Sequence, residues 1–135
     1  MEEVFNRKTQ IGAVGFFRNC LKNRDLKGAM SCFDPQGLYI DSDGTEIRGQ
    51  SQIEAAIAQL CALSPEIKGG QAHVSTIGDL SLWMDEWGMT AAMPNGHVIK
   101  STGHTACLMK RNEQGLWLWL VDNPFGSAVL KAKVS

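Results

Sequence analysis

The chain has 135 residues, enough for one domain, and we expect residues 1–135 to form a single unit. Thirteen basic and fourteen acidic residues give a formal charge of −1, so the chain lacks the basic excess that nucleic-acid binding requires. The uncharged, mainly apolar run at residues 116–121 is too short to span a membrane, and the acidic start does not resemble a signal peptide. We therefore expect a cytoplasmic protein without nucleic-acid or membrane partners.

The first part of the chain has helical periodicity. Apolar side chains at steps of three and four predict a first helix within residues 4–21 and a second within residues 26–33. The second helix should end at Asp34-Pro35, because the residue before a proline avoids helical geometry. The four cysteines lack the spacing of metal ligands, so we expect reduced thiols that pack as small apolar side chains.

A third helix is predicted after a short strand and a turn. The strand lies at residues 38–40, and the segment from Asp41 to Gly44 is rich in turn-forming residues. Ser51 and Glu54 have the spacing of a capping box, which predicts a helix start at this point. Ser64-Pro65 should end the helix.

The second half of the chain alternates with a period of two. Strands are predicted at about residues 71–77, 80–93, 98–111 and 115–123, and short turn sequences join them. Long strands joined by tight turns form an antiparallel meander. The sequence therefore predicts an α+β fold with three N-terminal helices on one face of a strongly bent, mainly antiparallel sheet.

Three local segments carry a family resemblance: residues 24–30 in the second helix, Asp41 with Gly44 in the turn, and residues 119–124 at the last strand. Together with the order of the elements, they resemble the NTF2-like superfamily. This is the cone-shaped, cystatin-like fold of nuclear transport factor 2, ketosteroid isomerase and the SnoaL-like cyclases. The resemblance implies a hydrophobic pocket between the concave face of the sheet and the helices, and a homodimer through the convex face.

Alignment with ketosteroid isomerase places Asp41 at the position of the catalytic base. The same alignment places Phe17 and Cys107 where that enzyme has a tyrosine and a protonated aspartic acid that bind the oxyanion. Phenylalanine has no hydrogen-bond donor and cysteine has a weak one. Because both oxyanion donors are missing, we do not expect steroid isomerisation. For Asp41, the alternative is a turn residue that binds its own backbone.

The SnoaL-like cyclases suggest a second catalytic pair, because Asp122 and His104 resemble their aspartate and histidine. Strand alternation places Asp122 on the face that the resemblance turns toward the pocket, together with Leu120. On the neighbouring strand, alternation would turn His104 outward unless a bulge shifts the register. The predicted catalytic residues are therefore Asp41, Asp122 and His104, with the histidine depending on such a bulge.

Six further residues are candidates for ligand binding by helix or strand phase, and ordinary core packing is the alternative for each: Phe17, Tyr39, Trp83, Met89, Cys107 and Leu120. Asp85 lies between Trp83 and Trp87, which places a carboxylate among aromatic rings. Its alternative role is an ion pair with a basic residue such as Lys100 or Arg111. Three histidines without HxH or HxxxH spacing do not indicate a metal site, and the chain has no glycine-rich phosphate cradle. We expect no cofactor.

The opposite face of the last strand carries Trp117, Trp119 and Val121, and we expect the two tryptophans to form the dimer face. Two functional hypotheses remain open. The first is a SnoaL-like domain that binds an apolar small molecule and acts as a cofactor-free isomerase, cyclase or dehydratase through aspartate acid/base chemistry. The second is a non-catalytic module for ligand binding or association.

Overall fold

Two side-chain caps position the first two helices in the computed structural model, which describes residues 5–132. The Thr9 hydroxyl accepts a hydrogen bond from the Gly12 N–H, and α1 runs over Gln10–Lys22. The Asp25 carboxylate accepts one from the Gly28 N–H, and α2 runs over Leu26–Met30. The predicted helix start at residue 4 lies outside the described residues. Residues 5–9 are not helical, so the early start is wrong over that segment.

Asp34-Pro35 lies within a strand and does not end a helix. The second helix already ends at Met30, and strand β1 extends over Phe33–Ile40, five residues earlier than the predicted strand. The pairing of β1 with the last strand shifts in register between Phe33 and Leu38. Pro35 lies in this irregular stretch, where the ladder does not require the N–H that proline lacks.

The third helix begins without a side-chain cap. A short strand β2, Glu46–Arg48, pairs with β1, and α3 then extends over Gln50–Ala62. The N-cap residue is Gly49 at φ +89°, a conformation that glycine adopts readily, so the predicted capping box at Ser51 is wrong. The predicted end is confirmed, because the helix stops two residues before Ser64-Pro65.

The rest of the sheet comprises β3 Glu66–Ile77, β4 Leu80–Ala92, β5 Val98–His104, β6 Cys107–Arg111 and β7 Trp117–Asp122. The predicted strand at residues 98–111 is thus two strands, which pair with opposite halves of β4. The spatial order is β2-β1-β7-β6-β4-β3, with β5 also paired to β4. β1 and β7 are parallel and the other pairs are antiparallel. This confirms the predicted α+β fold with a bent, mainly antiparallel sheet.

The last strand contains a β-bulge, so its side chains do not have the predicted orientation. Met109 pairs with Trp119 and Leu108 pairs with Val121, so Leu120 is an extra residue in β7. Trp117 and Trp119 lie in the core, each 3% exposed. The expectation that these two rings form a dimer face is therefore wrong.

The C-terminal part of the described chain closes over the sheet with a 3-10 turn, Gly126–Ala128, and a short helix α4, Val129–Ala132. The buried core lies between helices α1 to α3 and the sheet. Within residues 5–132, no helix is long and apolar enough to cross a membrane.

Candidate functional site

An apolar cavity of about 280 Å³ lies between α1 and the concave face of the sheet, next to the chain that follows β7. Five aromatic side chains contribute to its wall: Phe17, Tyr39, Trp87, Trp119 and Phe125. Two edge-to-face pairs hold four of these rings. The centroids of Phe17 and Trp119 are 5.8 Å apart, and those of Trp87 and Phe125 are 6.2 Å apart. The Trp87 indole also donates a hydrogen bond of 2.6 Å to the Pro124 carbonyl oxygen, which orients its ring.

Asp122 provides a carboxyl group in this apolar wall. It is the last residue of β7 and pairs with Tyr39 of the parallel strand β1, so both side chains reach the cavity. The Cys107 thiol donates a long hydrogen bond of 3.6 Å to the Asp122 Oδ1 atom. Burial raises the pKa of Asp122 from 3.8 to about 7, because the thiol hydrogen bond and the charge of Arg18 compensate only partly for the lost hydration. Asp122 therefore exchanges its proton near neutral pH.

Arg18, which lines the cavity, belongs to a buried ion pair. The Arg18 guanidinium binds both carboxylate oxygens of Asp85, at 2.8 Å and 3.2 Å, and the Asp85 side chain is 1% exposed. The Thr105 hydroxyl donates to Asp85 Oδ1 and accepts from the Asp85 N–H, both at 2.8 Å. This network satisfies the charge of Asp85 from within the fold. The predicted alternative of an ion pair was right in kind, but the partner is Arg18 and neither Lys100 nor Arg111.

Arg18 is thereby held by Asp85 although it also lines the cavity. Gly69 makes this arrangement possible, since a Cβ atom at that position would lie 2.6 Å from Arg18 Nη1 and 2.8 Å from Asp85 Oδ2. The cavity wall thus contains one arginine that is paired with Asp85 and one carboxyl group whose hydrogen-bond partner is a thiol.

Comparison of the sequence with models of protein families finds no match, and comparison with curated proteins finds none either. Solved structures are similar in fold. One is a nuclear transport factor 2 (NTF2-like) superfamily protein from Salmonella enterica serovar Typhimurium. Its TM-score is 0.75 at 18% identity, over 86% of this chain and 87% of that chain. The chain has the NTF2-like fold.

Two further solved structures with a similar fold have names that suggest different roles. A candidate calcium/calmodulin dependent protein kinase II association domain from Xanthomonas campestris has a TM-score of 0.76 at 14% identity, over 84% of this chain and 83% of that chain. A candidate dehydratase of the NTF2-like family from Streptomyces avermitilis has a TM-score of 0.74 at 16% identity, over 84% of this chain and 90% of that chain. At these identities the likeness extends to the fold alone.

The structure brings some of the predicted site residues of this NTF2-like chain to the cavity. Asp122, Phe17, Tyr39 and Met89 line it. Cys107 is buried behind Asp122 and contacts its carboxyl group. Whether any of these residues binds a ligand stays a prediction.

Two predicted catalytic residues lie elsewhere. The Asp41 carboxylate accepts hydrogen bonds from the N–H groups of Asp43 and Thr45, at 3.2 Å and 3.0 Å, as its turn alternative predicts. Hydrogen bonding with the Asp43 carboxyl group raises the pKa of Asp41, but Asp41 is not part of the cavity wall. The His104 side chain is 74% exposed and lies 3.2 Å from Glu86 on the outer face of the sheet. The structure therefore does not join Asp122 and His104 into a pair.

Two predicted binding residues also lie off the cavity. Trp83 lines a separate groove beside α1, and its indole N–H has no hydrogen-bond partner among residues 5–132. Leu120 is displaced by the β7 bulge, and Trp119 lines the cavity instead. Sequence reasoning missed Trp87, Trp119, Phe125 and Arg18 as residues of the cavity wall. Trp87 could have been predicted, because the alternation of side chains along β4 places it on the same face as Asp85.

Within residues 5–132, no group of three or more His, Cys, Asp and Glu side chains could hold a metal ion.

Proposed function

We propose that this domain binds an apolar small molecule in the cavity and that Asp122 exchanges a proton with it. The observation that carries the proposal is a fully buried carboxyl group, with a pKa of about 7, on the wall of an apolar cavity. A general acid or base works best when its pKa is near the working pH. At neutral pH both forms of Asp122 are present, so the same group can donate a proton to a ligand oxygen and accept one from a ligand carbon or oxygen.

The surrounding residues would orient the ligand and exclude water. Phe17, Met89 and Trp119 offer apolar contact, and the Tyr39 hydroxyl on the neighbouring strand is a hydrogen-bond donor beside Asp122. The cavity volume of about 280 Å³ lies just below the usual range for ligand sites, roughly 300–1,000 Å³, so the ligand is smaller than a typical drug. The candidate dehydratase that shares the fold is consistent with proton transfer as the reaction class.

Two measurements test this proposal. NMR titration of a protein carrying ¹³C-labelled aspartate should give one carboxyl group with a pKa near 7, which is absent from Asp122→Asn and present in Asp41→Asn. A thermal-shift screen of small cyclic ketones, alcohols and hydroxy-ketones should find ligands that stabilise the wild type, and Asp122→Asn should abolish their turnover. A carboxyl pKa near 4 for Asp122, or ligands whose turnover is unchanged in Asp122→Asn, would contradict the proposal.

A second candidate function is association through the outer face of the sheet. Leu80, Leu82 and Met84 alternate along β4 with 44%, 51% and 43% of their surfaces exposed, and Ile77 lies opposite Leu80 on β3. A contiguous exposed apolar patch favours an interaction site. The fold similarity to the candidate association domain is consistent with this role. The predicted homodimer would then use this patch, with a second copy of the chain as the partner.

Size-exclusion chromatography with light scattering tests the association. The wild type should be a dimer and Leu82→Lys a monomer. Val98→Lys is a matched control, because Val98 is 50% exposed but pairs with the far end of β4. A monomeric wild type, or an unchanged Leu82→Lys dimer, would contradict this second function.

A further inference from the structure

We propose that the cavity takes a ligand with a cationic amine, whose charge lies between the Asp122 carboxylate and the aromatic rings of the wall. This inference rests on the proposed small-molecule binding and narrows its ligand class. Its support comes from the partners of Asp122, from the arrangement of Arg18, and from the aromatic lining.

Asp122 lacks a cationic partner in the described part of the chain. Among residues 5–132, the hydrogen bond to its side chain comes from the Cys107 thiol at 3.6 Å, and none of the ion pairs includes it. A thiol is a weak donor. A buried carboxylate is unfavourable unless it is paired with a cation or well hydrogen-bonded. A ligand cation would thus stabilise the ionised form of Asp122.

Arg18, the cationic side chain that lines the cavity, is bound to Asp85 and does not form an ion pair with Asp122. Both terminal nitrogens of Arg18 bind Asp85, whose carboxylate is also held by Thr105. Gly69 leaves the space that this ion pair occupies, because a Cβ atom there would clash with both Arg18 and Asp85. A ligand cation would therefore meet the Asp122 carboxylate and the Arg18 guanidinium, whose repulsion of the ligand is reduced because its charge is compensated by Asp85.

The aromatic lining favours the same class of ligand. Tyr39, Trp87, Trp119, Phe17 and Phe125 line a cavity that also contains Asp122. The faces of aromatic rings carry partial negative charge and attract ammonium groups, and tryptophan is the strongest of them. Such rings replace part of the hydration that an ammonium group loses on entering an apolar cavity.

The pH dependence separates a cationic ligand from a neutral one. Asp122 faces Arg18 of α1, Tyr39 of β1 and Cys107 of β6, and Asp85 of β4 lies behind Arg18. Cys32, before β1, also interacts with Asp122, and burial raises the pKa of Tyr39, Cys107 and Cys32, so these three groups stay neutral near pH 7. Asp122 then controls the charge of the site, and affinity for a cation should rise as Asp122 ionises. A ketone that accepts a hydrogen bond from the protonated carboxyl group would instead bind more weakly as the pH rises.

Isothermal titration of the full chain with two matched probes tests the inference. 2-Phenylethylamine is a cation throughout the range used, and 2-phenylethanol has the same carbon skeleton without the charge. With a pKa of about 7 and binding to the ionised form, the affinity for the amine should increase about tenfold between pH 6 and pH 8. The alcohol should bind more weakly than the amine at pH 8 and change little with pH.

Variants identify the group responsible. Asp122→Asn should lose the amine affinity and its pH dependence while still binding the alcohol, and Asp41→Asn should behave as the wild type. Asp85→Asn should release Arg18 toward the cavity, so its amine affinity should fall while its alcohol affinity is kept. Because the pH profile uses the wild type alone, the test remains decisive if a variant fails to fold.

The outcomes distinguish this inference from the function on which it rests. Alcohol binding without amine binding, or amine affinity that is constant or falls from pH 6 to pH 8, overturns the cationic ligand and leaves small-molecule binding in place. Failure of the two probes, together with failure of the neutral screen described above, overturns both.

Discussion

Replacing Asp122 by asparagine should remove a pH dependence from the stability of this domain. The pKa of Asp122 in the folded state, about 7, lies above its ordinary value of 3.8. A group shifted in this direction stabilises the fold fully below about pH 3.8, and that contribution is lost as the pH rises to about 7. The full shift of about three pKa units corresponds to about 4 kcal/mol, at 1.36 kcal/mol per unit. Between pH 5 and pH 8 the same linkage gives about 2.5 kcal/mol.

Urea unfolding followed by tryptophan fluorescence measures this difference, because Trp83, Trp87, Trp117 and Trp119 are buried. The free energy of unfolding of the wild type, minus that of Asp122→Asn, should fall by about 2.5 kcal/mol from pH 5 to pH 8. The asparagine amide changes the free energy of unfolding by an amount that does not depend on pH. The quantity to compare is therefore the slope of the free energy of unfolding against pH. Other titrating groups are common to both proteins and cancel in the difference. Parallel pH profiles would refute the assignment of a raised pKa to Asp122.

Two further predictions concern the ion-pair network. Gly69→Ala should lower the free energy of unfolding by about 1–3 kcal/mol, because the new methyl group displaces Arg18 and Asp85. Gly88→Ala is the control. A Cβ atom at Gly88 would have no atom within 4 Å, so this variant should be neutral or slightly stabilising. Equal urea midpoints for the two variants would contradict this account. Thr105→Val keeps the volume but removes two hydrogen bonds to Asp85, and should cost about 2–4 kcal/mol in the same assay. A loss under about 0.5 kcal/mol, the range of ordinary surface substitutions, would show that the hydroxyl does not support the ion pair.

The fold class could be predicted because its signals are local. Helical and strand periods are properties of neighbouring residues, and they located α1, α2, α3 and most of the sheet. Boundaries that depend on a distant partner were missed. Phe33 belongs to a strand because β7 lies beside it, and the break after His104 exists because β4 pairs with two strands in turn.

The candidate site was predicted only in part, for the same physical reason. Alternation along β7 predicted that Asp122 faces inward. It also predicted that Leu120 shares that face, whereas in the structure Trp119 does. Because Leu120 is an extra residue in β7, the side chains of Trp119 and Asp122 both face the cavity. Strict alternation along one strand cannot predict this bulge, because the bulge depends on the register between β7 and β6.

By itself, the sequence determined a near-neutral domain with three N-terminal helices, a bent sheet and a cluster of large aromatic side chains in its second half. These features follow from the amino-acid composition and from the spacing of apolar residues along the chain. Only the tertiary structure decided which rings line a cavity, that Arg18 pairs with Asp85, and that Asp122 forms no ion pair among residues 5–132. These are properties of contacts between residues that are far apart in the chain. The electrostatics of Asp122 follow from its burial, which depends on α1, β1, β6 and β7 together.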